Sequence, residues 1–349
     1  MKNLFKSVSL FLFLMGLISQ PLLSSHTNSY VVSKIIANTS SFGAFTIDPN
    51  LVNPWGLTFD NLGDPIVSDN GTDLSTSYTP LGGIIGAPVN VAGGPTGIVH
   101  SNSCCEFHIG STSVPAQLIF ATESGTILAW SPFLNSNTAV VVVDRSGVGA
   151  VYKGLAKVEV DHEHFLFATD FHNGQIDMFD SNFNLIKSFT DPTIPAGFAP
   201  FNVVYLDDKL YITFAKQLSP QNHDDQAGPG NGFVDVFTET GYFIKRLISN
   251  GALNSPWGVT IAPHHFGAFS KALLVGNFGD GHINAFDRRS GAFLGTLNDT
   301  SGNPIFIDGL WAIAFDKCDP RHEDKHTLFF SSGPNGESNG LLGSIRHRH

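Results

Sequence analysis

Ser255-Pro256-Trp257-Gly258-Val259-Thr260-Ile261 opens a stretch that continues through Lys271-Ala272-Leu273-Leu274-Val275-Gly276-Asn277-Phe278 and Gly281-His282-Ile283-Asn284-Ala285-Phe286-Asp287 to Ala292-Phe293-Leu294-Gly295-Thr296-Leu297. Four short apolar runs separated by Gly, Asp, Asn and Ser turns predict a four-stranded antiparallel meander. Such a sheet has two faces to bury, so it needs copies of itself to stack on.

The copies are in the chain. Pro54-Trp55-Gly56-Leu57, Pro95-Thr96-Gly97-Ile98, Tyr152-Lys153-Gly154-Leu155, Pro200-Phe201-Asn202-Val203 and Gly309-Leu310-Trp311-Ala312 take the place of Pro256-Trp257-Gly258-Val259, recurring at intervals of about fifty residues. Each is followed by a second apolar run, such as Leu118-Ile119-Phe120-Ala121 or Phe165-Leu166-Phe167-Ala168. In four units a third run ends in an aromatic and a polar residue, as in Leu128-Ala129-Trp130-Ser131 and Asp177-Met178-Phe179-Asp180. The pattern predicts an all-β protein, a six-bladed β-propeller of four-stranded antiparallel blades. Tyr30 to Ala37 is a strand without a sheet, and the sixth unit, ending at Leu341-Leu342-Gly343-Ser344-Ile345, lacks a fourth strand. Donating the first strand to the last blade closes the ring and removes the free edges.

Composition agrees with this reading. The 349 residues are 42% hydrophobic and 14% charged, enough for a large core, and 36 Gly with 19 Pro suit many tight turns. Residues 26–349 are expected to form one domain. Residues 1–25 are a different object: Lys2 and Lys6 precede the apolar run Val8 to Ile18, with Gln20-Pro21 and small Ser24 and Ser25 beyond. This reads as a secretory signal peptide, too short in its apolar part to span comfortably, the alternative being an uncleaved anchor. The expected product is an exported protein, periplasmic or extracellular, monomeric and without a membrane span after cleavage. A net charge of −11 argues against nucleic acid or an anionic membrane as partner. Of the three cysteines, Cys318 can be placed opposite Cys104 or Cys105 for a bridge, or all three remain thiols.

Leu51-Val52-Asn53-Pro54-Trp55-Gly56-Leu57, Phe198-Ala199-Pro200-Phe201, His223-Asp224-Asp225 with Gly230-Asn231-Gly232-Phe233-Val234-Asp235-Val236-Phe237, Leu253-Asn254-Ser255-Pro256-Trp257-Gly258, Leu274 to Gly281, and Ile307-Asp308-Gly309-Leu310-Trp311 together resemble an uncharacterised family of secreted bacterial proteins. The resemblance runs from about Tyr30 to Ile345 and implies a propeller of the NHL and TolB type. It implies no activity, because none is established for that family.

In a propeller the loop into the innermost strand and the loop from the second strand to the third open on one face, around the channel mouth. That face gathers Trp55, Lys153, Phe201, Trp257 and Trp311 from the unit starts, and Asn70, Glu123, Asp170, His172, Lys216 and Asn277 from the second-to-third loops. Aromatics beside carboxylates and amides suit a polar ligand, sugars included. The plainer reading has the rings plug the channel and the polar residues make turns. The longest of these loops, between Ala215 and Phe233, carries His223, Asp224 and Asp225. These three form a candidate site for a divalent cation, calcium or zinc, with Asp170 or Glu123 completing the shell. The alternative is a polar lid with turn-capping aspartates.

Two formal motifs are set aside. His322-Glu323-Asp324-Lys325-His326 has the H-E-x-x-H spacing, but it precedes a strand where the zinc chemistry needs a helix. Gly336-Glu337-Ser338-Asn339-Gly340 has the G-x-S-x-G spacing, but a nucleophile elbow joins a strand to a helix, and here strand follows strand. No complete nucleophile, base and orienter can be assembled. The sequence therefore favours a module that binds an extracellular carbohydrate or protein, with a metal-dependent hydrolase or lyase as the alternative.

Overall fold

The computed structural model describes residues 27–101, 106–134, 136–316 and 326–348. The signal segment, Cys104, Cys105, Cys318 and most of the H-E-x-x-H run lie outside the described residues.

Six antiparallel meanders are arranged as a propeller. Blade one is Pro54–Phe59, Pro65–Asp69, Leu74–Tyr78 and Ile84–Asn90, and blade two is Pro95–His100, Leu118–Thr122, Thr126–Trp130 and Val140–Asp144. Blade three is Tyr152–Val160, Glu163–Asp170, Gln175–Asp180 and Leu185–Phe189, and blade four is Phe198–Leu206, Lys209–Lys216, Phe233–Thr238 and Phe243–Ser249. Blade five is Pro256–Ile261, Leu273–Asn277, Ile283–Phe286 and Phe293–Thr296. Blade six is built from both ends of the chain. Leu310–Phe315, Leu328–Ser332 and Leu341–His347 are completed by Tyr30–Ala37, antiparallel to the last of them with Val32 opposite Ile345. The expected strand donation is thus present. A short strand, Thr46–Ile47, adds in parallel to its outer edge.

The core lies between blades. Ala156, Phe167 and Met178 of blade three pack with Ile212, Phe214 and Phe237 of blade four, and each fully buried Phe contributes about 2 kcal/mol of apolar transfer. Outermost strands alternate less strictly and show Val140, Val141, Ile244, Phe293 and Leu294 to solvent.

The glycine repeated at four of the six starts, Gly56, Gly97, Gly154 and Gly258, has a steric cause. Innermost strands converge on the axis, where a Cβ on Gly258 would lie 2.7 Å from the Trp311 carbonyl oxygen, and one on Gly154 would lie 2.7 Å from Asn202 Cα. Backbone thus occupies the space a side chain would need.

Candidate functional site

The starts lay their aromatic residues across the channel. Trp55 and Trp311 stack at 3.5 Å between ring centroids, and Trp257 meets both edge-on at 6.2 and 5.9 Å. Phe278 stacks on Trp311 at 3.9 Å, and Phe201 approaches it at 6.1 Å. These rings form one buried cluster. These rings plug the channel, and the polar groups above them make up its mouth, here called the cup. A cavity of about 320 Å³ lies along the inner strands and takes in their far ends, where His100, Lys157 and Tyr205 line it beside apolar residues, and none of the mouth carboxylates border it. The chemistry is at the mouth.

Lys153 lies at the centre of the cup, with only 1% of its side chain exposed. Its ammonium stands 4.8 Å from the Trp55 ring centroid, pairs with Glu123 of the neighbouring blade, and lies 3.8 Å from Asp224 Oδ1 of the lid. Burying an ammonium is costly unless it is paired, and here the Glu123 carboxylate and the π-face of Trp55 meet that cost. Glu123 Oε2 accepts from Asn70 Nδ2 at 2.9 Å. Asn70 Oδ1 accepts from Asn53 Nδ2, which also donates to Glu337 Oε2 at 2.7 Å, while Asn53 Oδ1 accepts from Trp311 Nε1 at 2.9 Å. One hydrogen-bonded chain therefore runs from blade six through blades one and two to blade three.

The lid closes the other side. Leu218 N donates to Asp224 O, Gln226 N to Lys216 O, and Gln217 Nε2 to Phe171 O. Beyond Asp225 it docks on blade five, where Gly228 N donates to Asn254 Oδ1 and Gly230 N to Leu253 O. His223 Nδ1 is 2.9 Å from Asp224 Oδ1. That hydrogen bond raises the imidazole above its usual range, and the same bond holds Asp224 below the usual carboxylate range. Burial acts oppositely on two further carboxyls. It raises Asp225 in spite of the nearby Ser255 hydroxyl and Lys153 charge, and it raises Glu337 in spite of the Asn53 hydrogen bond. Although Ser255 lies beside Asp225, neither Ser255 Oγ nor Asp225 Oδ2 completes a hydrogen bond of normal geometry.

The expected residues separate into roles. Asn70, Glu123 and Lys153 meet at the cup, and Trp55, Phe201, Trp257 and Trp311 make its floor. Asp170 is turned away: it is fully buried, accepts from Val151 N and Asn173, and is raised mainly by burial. Asn277 is likewise fully buried and donates to Ala252 O and Asp280. His172 supports the lid through Gln221 O at 3.0 Å, and Lys216 forms its base. The expected cation trio is rearranged: ligand atoms of Glu123, His223 and Asp224 lie within 4.8 Å of one another, and Asp225 is outside the group. The lid turns through residues 219–224, closed by Leu218 N to Asp224 O and Asn222 N to Leu218 O, and brings Asp224 to Lys153 while Asp225 turns to Ser255. Glu337 and Asn53 were not singled out from the sequence. Glu337 sits in the G-x-S-x-G run, which is the expected strand-to-strand turn, and its place in a second-to-third loop was the available signal.

No family model matches the chain. It is 31% identical to the uncharacterized protein R648 of Acanthamoeba polyphaga mimivirus over 91% of its length and 80% of that protein's. It is 31% identical to the uncharacterized protein L690 of the same virus, over 91% of its length and 86% of that protein's. The chain belongs to the family of these mimivirus proteins. A further relative, R640, is 32% identical and is spanned over only 56% of its length. The resemblance read from the sequence implied bacterial relatives; those found are viral. Among solved structures, virginiamycin B lyase from Staphylococcus aureus aligns with a TM-score of 0.55 at 11% identity, over 91% of this chain and 99% of that one. A nidogen/laminin complex aligns with a TM-score of 0.50 at 14% identity, over 75% of this chain and 86% of that one. A lyase and a protein-binding propeller are both similar to this family at the level of fold, and at such identity the fold is all that is shared.

Proposed function

We propose that the protein is an exported binding module whose channel-mouth cup takes an extracellular carbohydrate or protein ligand. The observation that carries this reading is the convergence of Lys153, Glu123 and Asn70, contributed by different blades, over three buried Trp rings. Recognition sites gather a few convergent polar groups over an apolar base in this way.

A second reading, a metal-dependent hydrolase or lyase, is favoured by Glu123, His223 and Asp224. Two carboxylates and an imidazole suit zinc better than calcium, which prefers oxygen alone. Against it, the Lys153 ammonium already lies against two of these three residues. A dication would have to displace a positive charge that the fold has buried there, so binding is the stronger reading.

The test is a glycan array and partner capture with the exported protein and its Glu123→Ala and Lys153→Ala variants, beside elemental mass spectrometry of all three. Retention of a glycan or protein by the parent and its loss in both variants supports the binding reading. Near-stoichiometric zinc or calcium lost with Glu123→Ala would overturn it in favour of the metal site.

A further inference from the structure

In a meander the strands reverse direction one after another, so the first-to-second and third-to-fourth turns share a face, here the face opposite the lid. Between blades four and five those turns enclose a second cavity, of about 520 Å³. Five cations border it, Lys209, Lys245, Lys271, Arg288 and Arg289, in a chain with 19 Lys and Arg and a net charge of −11. Lys209 follows the first turn of blade four, and Lys245 comes from that blade's last strand. Lys271 ends the first loop of blade five, and the two arginines stand in its third-to-fourth turn.

Two carboxylates border the same cavity, and both are committed. Asp207 pairs with Arg288. Asp287 Oδ1 accepts from Arg289 N at 3.1 Å and from the Ser290 amide and hydroxyl at 2.7 Å each, capping the turn that Gly291 closes by donating to Asp287 O. Its bonds to Ser290 first, and the Arg289 charge last, hold its carboxyl below the usual carboxylate range. Lys209, Lys245 and Lys271 have no ion pair among the described residues; the Lys245 ammonium donates to the Arg289 carbonyl at 2.5 Å, which ties the turn to blade four and leaves the charge in place.

The result is an excess of positive charge on a concave surface, with exposed Ile244 and Leu294 as its apolar wall. A metal cation is repelled by it. An acidic polymer that runs out of the cleft meets a surface that is negative elsewhere. A compact ligand with two or more anionic groups meets only the cations. Guanidinium forks onto two oxygens of a tetrahedral oxyanion and ammonium adds a point charge, so phosphate and sulfate groups suit this set. We infer that the cleft between blades four and five binds a small phosphate or sulfate ester. A cavity of this size takes a ligand no larger than a mono- or disaccharide. The site is on the far face from the cup and is independent of the reading above.

The test is calorimetric titration of the full chain at low salt with a hexose bisphosphate, a disulfated disaccharide and an unsubstituted disaccharide. Saturable binding of either charged probe, without binding of the neutral one, is expected, and the tighter of the two names the ester. Sodium chloride at about 500 mM is expected to weaken it at least tenfold. Arg289→Ala is expected to weaken it about tenfold, the worth of a charged hydrogen bond. Lys209→Ala and Lys271→Ala are expected to weaken it about threefold each, the worth of an exposed ion pair. These three side chains are exposed, so the variants keep the fold. Lys34→Ala, at an exposed position of blade six, removes the same charge away from the cleft and is expected to leave the affinity unchanged.

Absence of saturable binding by both charged probes overturns the inference, as does equal binding of the neutral disaccharide. Equal weakening by Lys34→Ala and Lys271→Ala also overturns it, because the attraction would then belong to the net charge and not to the cleft.

Discussion

Asn53-Pro54-Trp55-Gly56 and Ser255-Pro256-Trp257-Gly258 are nearly the same sequence, and they do opposite things. Both starts hold the residue before proline in the left-handed region, φ 47° at Asn53 and 45° at Ser255. Both put a Trp on the channel floor, and each faces a half-buried carboxyl, Glu337 at the first and Asp225 at the second. At Asn53 a side-chain amide closes a network of three partners. At Ser255 a shorter hydroxyl reaches only the Asp225 carboxyl, and the neighbouring Trp257 indole has no acceptor among the described residues. One start is a structural joint and the other is not, a difference of a single side chain inside a shared motif.

The largest expected effect treats the two starts alike. A Cβ at Gly258 meets the Trp311 carbonyl oxygen and the Ile313 nitrogen, and one at Gly56 meets the Thr96 carbonyl oxygen, so no flexible side chain can give way. Either Gly→Ala change is expected to cost about 3 kcal/mol in urea unfolding, the upper range for overpacking. A change below the error of that measurement would mean the inner strands can spread.

Next, the starts should part. Asn53→Ala strands the Trp311 donor and the Glu337 carboxylate, and is expected to cost about 2 kcal/mol. Ser255→Ala removes a hydroxyl whose one neighbour is the Asp225 carboxyl, without normal hydrogen-bond geometry, and is expected to leave stability within about 0.5 kcal/mol of the parent. Equal losses at both would refute the asymmetry.

A smaller effect concerns pH. Burial raises the Asp225 carboxyl above its unfolded value, so as pH rises from the ordinary carboxylate range through the folded pKa, the unfolded chain has released a proton that the folded one retains. Stability then falls with rising pH over that window. Asp225→Asn removes this contribution, so its stability relative to the parent should improve from pH 4 towards neutrality. A difference constant across the titration would show Asp225 to be ordinary in the folded state. The lid pair works in the opposite pH directions: His223, raised by its bond to Asp224, loses its contribution as pH climbs past its folded pKa, and Asp224, lowered, loses its own in acid.

The smallest effect is a gain. Ser255→Gly relieves a left-handed backbone that costs about 1 kcal/mol in a residue with a side chain, less the added entropy of glycine in the unfolded chain. A rise of about 0.5 kcal/mol is expected by thermal unfolding, whereas Asn53→Gly should lose stability because its amide is employed. If both gain, the network at Asn53 is worth less than its geometry suggests.

The fold was legible because its signals are local and repeated. Apolar alternation and turn residues recur in every unit and a glycine at the axis crossing in four of the six, and the orphan strand at Tyr30 announced the closure of blade six. The cup was legible only in part. Glu123, Lys153 and Asn70 follow from counting loops onto one face, as does the Trp floor. Asp170 and Asn277 satisfied the same count, yet turn into their blades because nearby amides and backbone groups hold them there.

Pattern alone therefore settles how many blades there are, how they are built and which loops share a face, since each depends on near neighbours along the chain. Which side chains meet depends on pairs such as Trp311 with Asn53, 258 residues apart, or Asn53 with Glu337, 284 apart. The burial that leaves the Trp55 and Trp257 indole nitrogens without acceptors among the described residues exists only once six blades have closed around one axis. Distances across that axis are a property of the ring, and no stretch of the chain contains them.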